Sequence, residues 1–474
     1  MADSLGTYKA KRDFKKTPEP KGARRKEPDA ARFVVQEHNA SHLHWDLRLE
    51  HDGTLASWAL PRGVPEHPDE NRLAVRTEDH PLEYLEFHGE IPKGEYGAGT
   101  MKIWDSGTYE AEKFRKDEVI ATFRGERVRG RYALFQTGGK NWMIHRMDPP
   151  EDSAYEPFPD QLRPMLARSG PLPPREQQFG FEVKWDGIRT VLYSDHGHLE
   201  LRGRNGTDFT PRYPEVRELA RSLGSRRIVL DGEIVAFDEE GRPSFERLQS
   251  RMHLASDSAV RRRMKDIPAT YVIFDLLYLD GHTTTGLSYE ERRTLLEQLE
   301  LEGPFWRTPA YHRGEGKALL AATRELGIEG VVAKKLDCPY QPGTRASHWI
   351  KVKNVRTQDV VIGGWTRGEG GRTTSLGSLA VGVMKGDELV YSGKVGTGFT
   401  EQSLALLKRE LEPLARDTSP FSGRQPPKGT QFVEPSLVAH VEFREWTGSG
   451  TLRAPSFKGL RPDIAPQECV REEG

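Results

Sequence analysis

Residues 181–189 read FEVKWDGIR, and this stretch decides the organisation of the chain. It carries the spaced pattern KxDGxR, as Lys184, Asp186, Gly187 and Arg189. Around it, strand-like runs such as TVLYSD, RIVLDGEIVAFD and ATYVIFDLLYL mix with helical stretches such as YEERRTLLEQLEL and KALLAATRELG. The mixture predicts an α+β domain, which we place at residues 164–355.

Further motifs follow this stretch in a fixed order. They are RNG at 204–206, DGE at 231–233, an apolar strand ending in Phe274 and Asp275, EGVVAKK from Glu329, and WIKVK with Lys351 and Lys353. One short motif is a weak signal, whereas an ordered series is a specific one. The series resembles the covalent nucleotidyltransferases, which include ATP-dependent DNA ligases and mRNA capping enzymes.

The resemblance implies a role for each motif residue. Lys184 would be the nucleophile that forms a lysine–AMP intermediate from ATP. Glu233 and Arg204 would hold the ribose and phosphate side, while Phe274 would stack on adenine. Glu329 would help to bind a divalent metal, Mg²⁺ or Mn²⁺. The implied nucleotide-binding set is Glu182, Arg189, Arg204, Glu233, Phe274, Lys351 and Lys353.

The chemistry of a phosphoramidate explains these residue types. The attacking amine must be uncharged, and a lysine loses its proton near neutral pH only where burial or nearby cations lower its pKa. Arg189, Lys351 and Lys353 would supply that positive field together with the metal, and would offset charge on the departing pyrophosphate. We therefore expect a lowered pKa for Lys184. The two later lysines alternate as on a strand, so both should point to one face.

After the WIKVK run the sequence changes to β segments with turn glycines and one helical stretch, EQSLALLKRELEPLA. This pattern predicts a five-stranded barrel of the OB-fold type at residues 356–474. Residues 444–463, REWTGSGTLRAPSFKGLRPD, are similar to the last ligase motif. A lysine usually follows that motif and is thought to orient pyrophosphate, but this chain has Ile464. Self-adenylylation would then depend more on Arg453 or Lys458, or be slow.

Residues 33–50 read FVVQEHNASHLHWDLRLE. Successive side chains of a strand point to opposite faces, so this stretch separates into two faces of different composition. One face carries His44, Asp46 and Arg48; the other carries Leu43, Trp45, Leu47 and Leu49, which we predict to be core. His38, just upstream, completes a His, His and Asp set for a metal with open coordination positions. Arg48 would stabilise phosphate charge beside it. The spacing leaves His42 open as a ligand, and the ligand types leave zinc open as the metal.

The same region resembles the 3′-phosphoesterase of bacterial ligase D, the end-joining ligase that works with Ku. The resemblance rests on DHP with His80, on Tyr84, and on GEIPKGEYGAG at residues 89–99. It implies that His38, His44 and Asp46 bind the metal, usually Mn²⁺, and that Arg48, His80 and Tyr84 contact the phosphate. Arg12, Asp13 and Glu19 would support catalysis on ends that carry a 3′ ribonucleotide. The polymerase of full ligase D proteins has no room in 474 residues.

Length and linker composition indicate three domains. Residues 148–164 collect prolines and acids, as a linker does, so we place the phosphoesterase domain at residues 1–150 and the linker at 151–163. The two cysteines predict reduced thiols. Neither a signal sequence nor a membrane-spanning stretch is evident, which indicates a cytoplasmic protein, in bacteria associated with the nucleoid.

Net charge gives no sign of a nucleic-acid partner, since 70 Lys and Arg balance 71 Asp and Glu. Two local basic segments are candidates. Residues 9–26 fit a disordered tail about as well as a phosphate-contacting arm, and residues 261–265 fit an exposed helical turn better than a binding site.

These observations predict a three-domain enzyme that trims 3′ ends and then seals breaks. Its partners would be DNA with nicks or double-strand ends, gripped by closure of the C-terminal barrel, with Ku as a candidate partner and a monomeric state. A GTP-using capping enzyme and an RNA ligase remain enzymatic alternatives. A non-catalytic scaffold that binds DNA ends is the alternative from a different class, with Ile464 as a sign of decay.

Overall fold

A computed structural model describes residues 5–21, 31–40, 42–150, 152–252, 254, 256–368 and 376–472. The basic segment 9–26 therefore lies partly outside the described residues, at 22–26. Within the described ranges, no helix is long and apolar enough to cross a membrane. Cys338 and Cys469 are free thiols, as predicted.

The first domain is an antiparallel β-barrel. Eight strands follow one another round the sheet, and Arg32–Asn39 pairs with Gly99–Phe114 to close it. The predicted apolar face of strand Leu43–His51 lies in the barrel core. The strands are Arg32–Asn39, Leu43–His51, Thr54–Leu60, Asn71–Arg76, Gly89–Ile91, Gly99–Phe114, Glu118–Arg124, Arg129–Gly138 and Asn141–Arg146. Two short helices, Gly6–Ala10 and Leu82–Leu85, pack their apolar side chains against the outside of the barrel.

The second domain contains two sheets, and the KxDG turn crosses between them. Strand Phe179–Val183 precedes the turn in one sheet, and Ile188–Asp195 follows it in the other. The first sheet contains Leu166–Ser169, Arg345–Lys353, Gly330–Lys335, Phe179–Val183 and His312–Arg313. The second contains His198–Gly203, Ile188–Asp195, Ile228–Ala236, Ala269–Leu279, His282–Thr283 and Trp306–Arg307.

Helices cover the outer faces of these sheets. The two predicted helices form as Tyr289–Glu297 and Gly316–Glu325. Ser288 begins the first of them with a capping box, in which its hydroxyl accepts from the N–H of Glu291 and that carboxylate accepts in return. The remaining α-helices are Leu219–Leu223, Phe245–Met252 and Asp257–Asp266, and the 3₁₀ turns are Glu176–Gln178, Thr210–Arg212 and Val216–Glu218.

The third domain is a strongly bent β-structure with the one predicted α-helix, Glu401–Leu411. Its long first strand, Arg356–Arg367, pairs with Leu376–Lys385 on one side and with two later strands on the other. The predicted five strands appear as eight segments among the described residues, because bulges and bends interrupt them. The segments are Arg356–Arg367, Leu376–Lys385, Glu388–Val395, Ala415–Arg416, Phe421–Ser422, Gln431–Val433, Val438–Phe443 and Ser456–Leu460. The 3₁₀ turns are Glu412–Leu414 and Pro466–Glu468.

Candidate active sites

A cavity of about 190 Å³ lies where the second and third domains meet. Lys184 enters it from the turn that crosses between the two sheets. The cavity is lined by every residue that the nucleotidyltransferase motifs predict, namely Glu182, Lys184, Arg189, Arg204, Glu233, Phe274, Glu329, Lys351 and Lys353. The third domain adds Asp359, His440, Arg461 and Asp463. The structure therefore brings together predicted residues that are up to 171 positions apart, from Glu182 to Lys353.

The amine of Lys184 donates a hydrogen bond to the carboxylate of Glu329. Burial alone would lower the pKa of Lys184, but Glu329 and Asp186 outweigh burial and raise it. The predicted lowered pKa is therefore wrong for this arrangement, because carboxylates rather than cations lie nearest to the amine. Burial opposes ionisation of Glu329 too, yet Lys184 and Lys353 hold its pKa at about 2.

An aromatic ring and two cations form one wall of the cavity. Phe274 is buried, with the guanidinium carbon of Arg189 4.6 Å and the amine of Lys334 4.5 Å from its ring centroid. Asp231 holds Arg189 through two contacts of 2.6 Å, and Glu182 holds Lys334 at 2.9 Å. The wall combines a flat apolar surface with hydrogen-bonding groups at its edge, which suits a purine base.

Glu233 also lines the cavity, near enough to Arg189 and Lys184 for both charges to act on it. Burial raises the pKa of Glu233 to about 7, although Arg189 and Lys184 oppose the shift. This carboxyl group therefore gains and loses its proton near neutral pH, whereas the neighbouring Glu329 stays ionised.

Carboxylates of the C-terminal segment form ion pairs with the basic side chains that were predicted to hold phosphate. Lys351 and Lys353 point to one side of their strand, as predicted, and both contact Glu472, the second at 3.2 Å. Arg204 pairs with Glu468 in the same way. Burial, and then Lys353, lower the pKa of Lys351 to about 8.

The last motif brings Arg461 and Asp463 to the cavity, where the two side chains pair at 2.9 and 2.7 Å. Ile464 also reaches the cavity, and it packs into the apolar core of the third domain. Arg453 and Lys458 do not reach the cavity. Both are substantially exposed, and they pair with Glu445 at 2.5 Å and Glu442 at 2.7 Å respectively.

The first domain brings His38, His44 and Asp46 together, with one potential ligand atom of each within 4.8 Å of the others. Pairing of the two strands sets His38 directly opposite His44. The Nδ1 atom of His44 lies 3.0 Å from the carbonyl oxygen of His42, so Nε2 is the nitrogen directed towards Asp46. Among the described residues the side chain of His42 is not part of this cluster.

Arg48 extends the cluster towards a buried polar region. Its guanidinium donates to Asp46 at 2.9 Å and to the side-chain oxygen of Gln36 at 2.7 Å, and lies 4.8 Å from the ring centroid of Tyr84. His80 is buried, and burial, followed by Arg48, lowers its pKa well below the usual value. A neutral His80 imidazole can therefore accept a proton.

The N-terminal segment contributes Arg12 and Glu19, which pair at 2.6 Å, and Tyr84 donates its hydroxyl hydrogen to the same Glu19. Arg12 also lies 3.4 Å from Nε2 of His80. Asp13 does not join this group: it is exposed and accepts from the N–H of Lys15 in a turn. Arg12 and Glu19 therefore reach His80 and Tyr84, whereas Asp13 serves the local turn.

Several residues that shape the two sites were not predicted. Gln36 fixes Arg48, and its position two residues before His38 on the same strand face is a signal that could have identified it. Glu468 and Glu472 carry no such signal, because they lie in a short acid-containing tail. His440 and Asp359, which form a 2.6 Å pair, are ordinary residues of two β segments.

Three family models match consecutive parts of the chain. The DNA Ligase D 3′-phosphoesterase domain matches residues 36–136, the ATP dependent DNA ligase domain matches residues 164–353, and the ATP dependent DNA ligase C terminal region matches residues 372–464. Together these matches define an ATP-dependent DNA ligase region joined to a 3′-phosphoesterase domain.

Similar proteins agree with the family models. The multifunctional non-homologous end joining protein LigD of Mycolicibacterium smegmatis is 47% identical over 488 residues, which cover 100% of this chain and 62% of that protein. Its counterpart in Pseudomonas aeruginosa is 36% identical over 99% of this chain and 62% of that protein. A solved structure of mycobacterial DNA ligase D complexed with ATP and MES is 42% identical, covers 66% of this chain and 98% of that chain, and superposes with a TM-score of 0.49.

The chain belongs to the ligase D family, which confirms the family that its motifs indicated. It spans 62% of the length of the LigD relatives from M. smegmatis and P. aeruginosa.

Proposed function

We propose that this chain seals breaks in DNA and trims 3′ ends before sealing. In the sealing reaction the amine of Lys184 attacks the α-phosphorus of ATP, a nitrogen–phosphorus bond forms, and pyrophosphate leaves. AMP then passes to a 5′ phosphate, and a 3′ hydroxyl displaces it to close the strand. The observation that carries this proposal is the cavity in which Lys184 meets Glu329 and the whole predicted nucleotide-binding set.

The residues around Lys184 suit the first step. Phe274 and the groups at its edge would hold adenine, and Arg204, Lys351 and Lys353 would hold the phosphates once Glu468 and Glu472 withdraw. The amine of Lys184 can lose its proton only after its hydrogen bond to the carboxylate of Glu329 is broken. Glu329 is an ionised carboxylate, the ligand type that Mg²⁺ and Mn²⁺ prefer, and a divalent cation bound there would neutralise its charge.

We propose a second activity for the first domain, removal of a 3′ phosphate or a terminal 3′ ribonucleotide. His38, His44 and Asp46 fit a divalent metal, because two imidazoles and a carboxylate converge and the carbonyl of His42 fixes the ring of His44. Mn²⁺ bound there would polarise the phosphate ester. Arg48 would neutralise phosphate charge, while His80 and Tyr84 contact the phosphate oxygens.

The domain assignments extend this proposal. The phosphoesterase domain would comprise residues 1–150, the linker residues 151–163, the adenylation domain residues 164–355 and an OB-fold residues 356–474. The OB-fold is supported by a long first strand that pairs on both sides and by one α-helix. A cytoplasmic monomer that acts at DNA ends in the nucleoid, with Ku as a partner, suits end-joining repair, the process for which the relatives are named.

A labelled-nucleotide experiment tests the proposed sealing reaction. The wild-type chain is incubated with radiolabelled ATP or GTP, and Lys184→Ala is compared with Lys335→Ala, a partly exposed lysine outside the cavity that pairs with Asp337. We expect an AMP adduct that the first substitution abolishes and the second preserves. A GMP adduct would favour capping chemistry, and sealing of nicked RNA in place of nicked DNA would favour an RNA ligase. DNA-end binding without any adduct would favour a scaffold.

A further inference from the structure

A buried cluster of charges joins the first domain to the second. Arg227 of the second domain is almost fully buried, and its guanidinium contacts Glu70 at 2.7 Å and Glu66 at 3.3 Å, both in the first domain. Arg72 of the first domain contacts Glu70 at 2.7 Å and lies 3.2 Å from Nδ1 of His196. Buried charges are tolerated only when they are paired, so the cluster fixes how the two domains meet.

The same interface supports the strand that carries the metal ligands. The ring of His196 packs edge-on against Trp45, with 5.1 Å between the ring centroids, and Trp45 lies between His44 and Asp46. Gly197 has a left-handed backbone, and a Cβ there would meet the side chain of Leu43 at 2.3 Å. Residues of the second domain therefore pack directly against strand Leu43–His51.

A groove of about 980 Å³ runs between the two domains beside this interface. One wall contains Asn39, His42 and Leu43, which flank the turn between the two ligand-bearing strands. Leu43 faces the barrel core and not the metal ligands, but the carbonyl oxygen of His42 lies 3.0 Å from Nδ1 of His44. At His42 the groove therefore comes within one contact of the cluster of His38, His44 and Asp46.

Five arginines line the groove, namely Arg62, Arg202, Arg217, Arg221 and Arg261. Arg202 pairs with Glu200, whereas within the described ranges the other four form no ion pair, and all four are exposed. Arg217 and Arg221 are four positions apart in one helical stretch and so lie on one face, and Arg261 comes from helix Asp257–Asp266. Four carboxylates line the groove as well: Glu200 pairs with Arg202, Asp208 accepts from the N–H of Thr210 at 2.8 Å, and the other two are Glu37 and Asp257.

We propose that this groove seats the phosphate backbone of the DNA strand whose 3′ end lies at the metal cluster. The inference rests on the proposed trimming activity and adds the path of the substrate. Exposed guanidinium groups without protein partners are the groups that neutralise phosphates, and each such contact makes affinity sensitive to salt. Arginines from both domains line the path, so the docked domains act as one platform for the strand.

The test compares two double charge reversals, Arg217→Glu with Arg221→Glu, and Arg175→Glu with Arg324→Glu. The second pair is also exposed and in the same domain, lies outside the groove and changes the net charge equally. Affinity for a duplex with a 3′ phosphate is measured by fluorescence anisotropy without ATP, over a range of salt concentrations. We expect the groove pair to weaken binding at least about tenfold and to reduce the salt slope by about two, with the control pair near wild type.

Trimming kinetics complete the test. The groove pair should raise KM for trimming and leave kcat nearly unchanged, because it touches the strand rather than the reacting ester. Any of three results would overturn the proposal. The groove pair could bind the duplex with wild-type affinity, the groove and control pairs could lose affinity equally, or the groove pair could weaken sealing while its KM for trimming stays normal. The midpoint of thermal unfolding reports folding, and if the groove pair lowers it, Arg217→Ala with Arg221→Ala replaces that pair. Binding is measured without ATP, so a wild-type chain that forms no adduct would refute the sealing reaction and leave this test intact.

Discussion

The carboxylates around Lys184 raise the pKa of its amine, so the amine keeps its proton. The chemistry of the reaction had predicted the opposite, a lowered pKa. The motif pattern identifies the lysine, the cations and Glu329, but it does not give their distances. In the structure Glu329 is the nearest partner, and the more distant cations contact Glu468 and Glu472 instead. The charge state of the amine therefore depends on which group occupies the cavity.

Glu233 provides a prediction of pH dependence. Its pKa is about 7 in the folded chain, above the ordinary value of 4.5, so its contribution to stability is complete below about pH 4.5 and is lost as pH rises through 7. Glu233→Gln should therefore raise the free energy of unfolding above that of wild type at pH 8, by about 3 kcal/mol at most, and change it little at pH 4.5. Thermal unfolding at both pH values measures this. An equal difference at the two pH values would contradict it.

At the level of elements, the two-residue period of strand Leu43–His51 predicted which side chains meet. The strand pairs with Arg32–Asn39 in a hairpin, and the register of that hairpin places His38 opposite His44. The sequence could not show that His196 of another domain packs on Trp45, because no local pattern encodes a contact over that separation. The helix Glu401–Leu411 was predictable from its period, but the breaks in the third-domain strands were not.

The strand that carries His44 and Asp46 gives a prediction with an internal control. His44→Ala removes one of the three proposed metal ligands and should reduce 3′-end trimming at least about 100-fold, while sealing of a clean nick stays normal. His51→Ala changes the other end of the same strand, where the ring stacks on Phe114, and should leave trimming intact. Trimming and sealing are followed separately on labelled duplexes. Loss of both reactions in His44→Ala would show that the two sites are not separable.

The C-terminal segment gives a second prediction at this scale. Glu472 has a pKa of about 2, because Lys351 and Lys353 outweigh its burial, so it is ionised at neutral pH and competes with phosphate for both lysines. Glu472→Gln should lower the ATP concentration for half-maximal adduct formation roughly fivefold, the equivalent of about 1 kcal/mol. Glu434→Gln, an exposed change in the same domain, serves as the control. An unchanged or higher ATP requirement in the Glu472 variant would contradict the prediction.

At the level of the whole molecule, three domains meet at two interfaces, and a site lies at each. The nucleotide cavity needs residues of the second and third domains, and the proposed strand groove needs the first and second. The motif order predicted most residues of the first site, because one nucleotidyl-transfer reaction requires the lysine, the cations and the carboxylates together. The interface between the first and second domains was not predicted. It depends on charged residues such as Arg227, whose partners Glu66 and Glu70 lie far away in sequence.

Arg227 tests the docking of the first two domains. Arg227→Ala leaves the partly buried carboxylates of Glu70 and Asp195 with less compensation and should cost on the order of 3 kcal/mol, enough to lower or split the thermal transition. The neighbouring Arg226→Ala removes an exposed pair with Asp280 and should change stability by less than about 0.5 kcal/mol. Scanning calorimetry compares the two variants. Identical transitions would refute the coupling of the domains through Arg227.

The most direct measurement maps the covalent adduct to one residue. The chain is incubated with ATP and a divalent metal, digested, and examined by mass spectrometry for a lysine that carries AMP. We predict that the modification lies on Lys184 and that added pyrophosphate removes it. AMP on Lys334, Lys351 or another lysine, or no adduct under conditions in which nicks are sealed, would contradict the account.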